Sequence, residues 1–298
     1  MVLAVAAASV PAAARDDSAE LVVGGTTRSF SVHLPDGRAP RTGFPLILAF
    51  HGGGGQGAGM SRLTGLNTLA DARGLIVAYP DGIDRHWNDG RLTIRNPQDD
   101  VLFVSALLDR LQDGYPVDRG RVYATGLSNG ALFVERLGCE LSGRIAGIAA
   151  VAGTLPVVTA RKCRPDHPVA VIQINGTDDP IMPFGGGQVA TLGGVGEGGR
   201  VTSVGQTVAL WAGWNGCGDA GPVEALPAAG PPDGTQVLRT RYRGCPANGA
   251  VTVLTVAGGG HAWPGGPQYA RPAVIGRASR QLDATQLIVD SLLSLPPR

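Results

Sequence analysis

The chain has 298 residues, with 25 basic and 24 acidic side chains and a formal net charge of +1 at pH 7. Such a balance provides no field to attract nucleic acid or an anionic membrane, so neither is an expected partner. The length is enough to bury a substantial core.

Residues 2–14 form a short apolar run of Val, Leu and Ala ending in small residues, ahead of Arg15-Asp16-Asp17-Ser18. The run looks like a secretory apolar segment with an Ala-x-Ala-type cleavage site, although no basic stretch precedes it, and it is too short to cross a bilayer. The expectation is therefore a signal-like or disordered segment over 1–18, a single catalytic domain over 19–298, and a secreted or periplasmic protein without stable membrane insertion. Cys139, Cys163, Cys217 and Cys245 are an even set without C-x-x-C spacing, which argues for two disulfides rather than zinc. Three pairings are possible, and proximity in sequence favours Cys139 with Cys163 and Cys217 with Cys245.

Leu21-Val22-Val23 and the alternating Phe30, Val32 and Leu34, separated by Gly24-Gly25, predict an antiparallel edge hairpin. Pro45 to Phe50 is continuously apolar, as a parallel strand covered on both faces should be. It runs into His51-Gly52-Gly53-Gly54-Gly55, a glycine-rich loop with no Gly-Lys-Ser/Thr after it, which makes a nucleotide site a poor reading. Met60 to Arg73 reads as one helix and Leu75 to Pro80 as the next buried strand. The polar loop beyond Asp81-Gly82 carries Trp87, either a substrate contact or an aromatic pinning the loop to the core. Asp99-Asp100 opens an amphipathic helix reaching Leu111.

Gly126-Leu127-Ser128-Asn129-Gly130 then lies between the strand-like Arg121 to Thr125 and the helix-like Ala131 to Leu137. A G-x-S-x-G in that context predicts a nucleophile elbow: a tight strand-to-helix turn that exposes Ser128 and leaves the Asn129 N–H at a helix N-terminus. Further apolar strands are expected over 145–153 and 168–174, the second leading to Asp178 and Asp179. The stretch 184–199 reads as a mobile glycine-rich loop near the acid. A helix over 204–214, a surface loop over 219–236, and strands over 237–242 and 250–256 follow. The last of these runs into Gly258-Gly259-Gly260-His261-Ala262-Trp263, and a helix over 279–293 closes the chain. His33, His86 and His167 sit in surface or loop contexts. His51 is expected to hold the glycine loop by a hydrogen bond.

Serine is a weak nucleophile that needs a base within reach and a carboxylate to fix that base's tautomer. The order Ser128, an aspartate of the Asp178-Asp179 pair, then His261, each placed directly after an expected strand, is the order of an α/β-hydrolase. The fold class follows: α/β, a mostly parallel central sheet with helices on both faces. Gly53 and Asn129 are the candidate oxyanion donors, and no metal or organic cofactor is called for.

These residues also carry a family resemblance. His51-Gly52-Gly53, Tyr79-Pro80-Asp81-Gly82 with Trp87-Asn88, Gly126 to Ala131, Gly176 to Pro183, Trp211 with Asn215-Gly216-Cys217, and Gly259 to Pro264 resemble the secreted polyhydroxybutyrate depolymerase-type esterases, a group that includes feruloyl and acetylxylan esterases. The resemblance implies Asp179 as the acid, through a Gly-Thr-x-Asp pattern in which Met182 replaces a usual valine. The favoured cysteine pairing also matches that family. From their place in loops beside these motifs, and apart from the resemblance, Trp87 and Trp263 are candidate substrate contacts. The activity it implies is hydrolysis of acyl or aryl esters by a Ser-His-Asp triad, with feruloyl, acetyl or short-chain esters as substrates, either polysaccharide-linked or polyester. Depolymerisation of polyhydroxyalkanoate is the competing enzyme reading, and a non-catalytic binding module on a hydrolase fold the competing non-enzyme one.

Overall fold

The computed structural model describes residues 13–191 and 198–298. Its strands are β1 (Arg15–Val23), β2 (Thr26–Leu34), β3 (Phe44–Phe50), β4 (Ile76–Pro80), β5 (Val117–Leu127), β6 (Gly147–Val151), β7 (Ala170–Gly176), β8 (Gly187–Gln188), β9 (Arg200–Val201), β10 (Glu224–Ala225), β11 (Gln236–Arg241) and β12 (Val251–Ala257). The helices are α1 (Gly57–Thr64), α2 (Leu66–Arg73), α3 (Asp100–Gly114), α4 (Asn129–Glu140), α5 (Val157–Lys162), α6 (Val204–Trp214), α7 (Pro272–Ile275) and α8 (Ala284–Leu293).

Ten of the strands form one sheet in the order β1-β2-β4-β3-β5-β6-β7-β12-β11-β10. From β4 to β12 neighbouring strands are parallel, and antiparallel strands flank both ends. The continuous apolar runs occupy the parallel centre because both faces there are covered. In β3, Leu46, Leu48 and Phe50 pack with α3, α4 and α6 on one face, while Ile47 and Ala49 pack with α1, α2 and α8 on the other. This is the two-residue period of a strand feeding two separate cores. The edges carry charge: β1 begins Arg15-Asp16-Asp17, and Glu224 of β10 pairs with Arg239 at 2.5 Å. Charged edges discourage pairing with other chains. Disulfides join Cys139 to Cys163 and Cys217 to Cys245.

Several expectations are corrected. The boundary at residue 18 falls inside β1, whose Arg15–Ser18 pair with Leu34–Ser31; the rest of that segment, residues 1–12, lies outside the described residues. His33 is buried, not superficial, held by Asp16 at 2.7 Å and Asp71 at 3.1 Å. The helix expected over 60–73 is two helices, because Gly65 adopts φ 62° and breaks the ladder. The last helix starts at Ala284, where Asp283 caps Gln286 N–H, rather than at Ser279. In the glycine-rich stretch, residues 192–197 lie outside the described residues, so a lid over 185–199 is not defined; Gly187–Gln188 pairs with Arg200–Val201 as a short ribbon instead of forming a strandless loop.

One buried acid lies apart from the sheet end. Glu135 on α4 is fully buried, and its Oε2 accepts a 2.5 Å bond from Trp211 Nε1, while Oε1 has no partner among the described residues. Burial pushes this carboxyl up to about 8. The folded chain thus keeps a proton that the unfolded chain releases near pH 4.5, so this group's contribution to stability is full below that pH and falls away as pH rises to about 8. Glu135→Gln retains an acceptor for Trp211 but does not titrate. Between pH 5 and 8, the melting temperature of the wild type should fall relative to the variant; a gap independent of pH would refute this reading.

Candidate active site

The strand β5 ends in an uncommon backbone conformation. Ser128 sits at φ 56°, ψ −120°, a sparsely populated conformation, with α4 starting at the next residue. A Cβ on Gly126 would lie 2.4 Å from the Gly130 carbonyl, and one on Gly130 would lie 2.3 Å from Phe50 O. Both flanking glycines are therefore required by close backbone contact, and the turn lifts Ser128 above the C-terminal end of the sheet.

The neighbouring strand ends deliver the other two groups. After β7, the Asp179 carboxylate accepts backbone N–H bonds from Ile181 and Met182, both at 2.8 Å, through Oδ1. Its Oδ2 accepts a 2.8 Å bond from His261 Nδ1. Asp178 instead takes the Thr177 hydroxyl and faces solvent. The geometry thus separates the two aspartates that the spacing left open. The loops are brought together by glycine: a Cβ on Gly176 would meet Gly259 O at 2.2 Å. Because a carboxylate only accepts, Nδ1 carries the proton and Nε2 keeps its lone pair. Tyr269 Oη donates to His261 O at 2.7 Å and His261 N–H to Ile275 O at 2.5 Å, fixing the loop that bears the imidazole.

The glycine loop after β3 is pinned at several points. His51 Nδ1 donates to Gly52 O at 2.8 Å, and its Nε2 accepts from Gly82 N–H at 3.0 Å, which defines a neutral tautomer. Burial keeps its pKa below the ordinary value, consistent with that role. Gly54 N–H is taken by Arg85 O and Gly55 N–H by Gly52 O, each at 2.9 Å. Among the described residues, the N–H groups of Gly53 and Asn129 have no protein acceptor. Asn129's side chain is engaged elsewhere: Oδ1 accepts from Trp87 N–H, and Nδ2 donates to Trp87 O and to Asp89 Oδ2, at 2.8 to 3.0 Å. Asp89 in turn accepts from the buried Arg91, from its backbone N–H and from Nε and a terminal guanidinium nitrogen.

Ser128, Asn129, Gly53 and His261 all line one cavity of about 530 Å³, walled by apolar side chains such as Met60, Leu127, Ile181, Met182 and Val189. Neither tryptophan lines it. Trp87 is fully buried, stacked on Phe133 at 5.2 Å with its indole N–H on His51 O; Trp263 is fully buried with its N–H on Thr285 Oγ1. Both support loops from beneath rather than touch substrate, since a buried indole needs an internal acceptor that these loops provide. Among the wall residues that sequence reasoning overlooked are the polar His86, Arg91 and Tyr269. Only proximity to Trp87 and His261 could have hinted at them.

The esterase NocK of Nocardia uniformis subsp. tsuyamanensis, named with that activity provisionally, is 38% identical over 282 residues, spanning 92% of this chain and 81% of its own length. The chain belongs to this family of esterases. Feruloyl esterase B of Piromyces equi is 30% identical over 246 residues, which is 79% of this esterase but 42% of that longer protein. An acetyl xylan esterase from Aspergillus awamori has the same fold, with a TM-score of 0.59 at 14% identity, covering 83% of this chain and 94% of that one. No family model matches the chain. This esterase is thus an enzyme of the α/β-hydrolase fold, and neither of the two sequence relatives bears the narrower depolymerase name.

The two aspartates of this esterase should separate in kinetics. Asp179→Asn removes the charge that orients and stabilises His261 and should lower kcat by roughly 10³- to 10⁴-fold. Asp178→Asn should stay within about threefold of wild type, since among the described residues its exposed carboxylate bonds only the Thr177 hydroxyl. Equal losses from both substitutions, in steady-state ester hydrolysis, would contradict the distinction.

Proposed function

We propose that Ser128, His261 and Asp179 form the catalytic triad of a serine carboxylic-ester hydrolase, with the N–H groups of Gly53 and Asn129 as the oxyanion hole. The carrying observation is the 2.8 Å Asp179–His261 pair opening into the same cavity as Ser128 on its strained elbow. Ser128 Oγ attacks the ester carbonyl as His261 Nε2 takes its proton. The tetrahedral oxyanion accepts from Gly53 and Asn129 N–H. Collapse breaks the carbon–oxygen bond, and the alkoxide leaves with the proton held by His261. Water, deprotonated by the same nitrogen, then attacks the acyl-enzyme, and Ser128 recovers its proton.

The apolar walls favour an acyl or aryl group entering the cavity, and the names of the relatives support acetyl or feruloyl esters, including esters on polysaccharide. The two disulfides favour an oxidising compartment and therefore export. Among the described residues, no helix is long and apolar enough to cross a membrane. The catalytic unit in this reading begins with β1, because its residues from Arg15 onward pair into the sheet.

Hydrolysis of p-nitrophenyl acetate, butyrate and octanoate and of methyl ferulate should be measured for the wild type and for Ser128→Ala. Turnover of at least one ester, falling by on the order of 10⁴-fold or more in the variant, is expected. Retained turnover in Ser128→Ala would remove the nucleophile assignment.

A further inference from the structure

His86 forms part of the same cavity wall as Ser128 and His261, yet the proposed chemistry does not use it. Its Nδ1 lies 3.1 Å from the Asp84 carbonyl oxygen. A carbonyl only accepts, so Nδ1 carries the hydrogen and the neutral ring presents Nε2 as a bare acceptor. Among the described residues, Nε2 has no hydrogen-bond partner. It stands close against the oxyanion loop, where a Cβ on Gly53 would be 2.8 Å away.

The backbone ahead of the ring is held in an uncommon form. Asp84 and Arg85, neither of them glycine, have φ of 51° and 59°. Gly54 N–H bonds Arg85 O at 2.9 Å, His86 N–H bonds Ile83 O at 3.0 Å, and Asn96 Nδ2 donates to the Asp84 carboxylate at 2.7 Å. Strain of this kind persists only where the surroundings hold it, and one of the bonds that hold it here, from Gly54 N–H to Arg85 O, comes from the loop that carries Gly53. The ring is thereby registered to the oxyanion donor.

We propose that His86 Nε2 accepts a hydrogen bond from a hydroxyl of the substrate, so that the enzyme favours esters bearing a free hydroxyl within one or two carbons of the ester bond. The inference rests on the active-site reading above, because it takes the ester carbonyl to be bound at Gly53 and Asn129. A carbonyl oxygen seated there brings atoms near the ester bond to the side of the cavity where Nε2 is unpartnered. A site with a bare acceptor at that position discriminates against analogues that lack the donor.

Glycerol monoacetate and propyl acetate share the acyl group and the alcohol's carbon chain and differ in the hydroxyls. For the wild type, kcat/KM should favour glycerol monoacetate. His86→Leu should lower that value roughly three- to tenfold while leaving propyl acetate within about twofold. His86→Gln, whose amide oxygen reaches about as far as Nε2, should recover most of the preference. Equal losses on both substrates in His86→Leu, or an unchanged ratio in both variants, would overturn the role of His86. Turnover that survives Ser128→Ala is a separate outcome: it overturns the active-site assignment beneath the proposal.

Discussion

The backbone at Ser128 constrains everything built around it. A non-glycine residue at φ 56° costs on the order of 1–3 kcal/mol, and the surrounding packing holds it there through the close Gly126–Gly130 contact and the approach of Gly130 to Phe50 O. That approach binds the elbow to the end of β3, so the glycine loop after His51 and the start of α4 form one rigid corner. Ser128 N–H donating to Val151 O at 2.9 Å ties the same corner to β6. Both proposed oxyanion donors and the Cα from which the proposed nucleophile projects are therefore set by backbone packing.

A buried polar chain supports that corner from below. The Arg28 guanidinium lies 2.7 Å from Asp100 and 4.0 Å from the Phe103 ring centroid, and Asp100 Oδ2 accepts from Asn88 N–H at 2.7 Å. The segment continues through Trp87 and Asp89 to the side chain of Asn129. Buried charges are costly unless paired and hydrogen-bonded; each charge in this chain has an opposite partner nearby, while Arg28 Nε and Asp100 Oδ1 have no hydrogen-bond partner among the described residues. Strand β2 is thus linked to the first residue of α4 through the loop between β4 and α3. The apolar contacts of Trp87 with Phe50 and Phe133 close the remaining space.

Much of this could be read along the chain. Apolar runs such as Pro45 to Phe50 identify parallel strands because a two-sided core demands continuous apolar sequence, and G-x-S-x-G identifies the elbow because its glycines answer a local steric demand. The misreadings share a different cause. Gly65 interrupts an otherwise helical pattern, and its left-handed backbone is a choice that periodicity cannot reveal. His33 appeared superficial because its acidic partners Asp16 and Asp71 are distant in sequence. Trp87 and Trp263 appeared to be substrate contacts because an aromatic in a loop next to a motif looks the same whether it faces inward or outward.

The sequence by itself determined the order of the central parallel strands, the residue types able to carry out ester hydrolysis, and the need for glycine on either side of Ser128, because these depend on chemistry and sterics within a few residues. Only the tertiary structure decided which aspartate reaches His261, which face each tryptophan presents, and that His86 and Tyr269 stand beside the proposed catalytic groups. Those outcomes depend on distances between segments up to 82 residues apart, as for Asp179 and His261. Packing of the whole sheet sets such distances, and no local pattern encodes them.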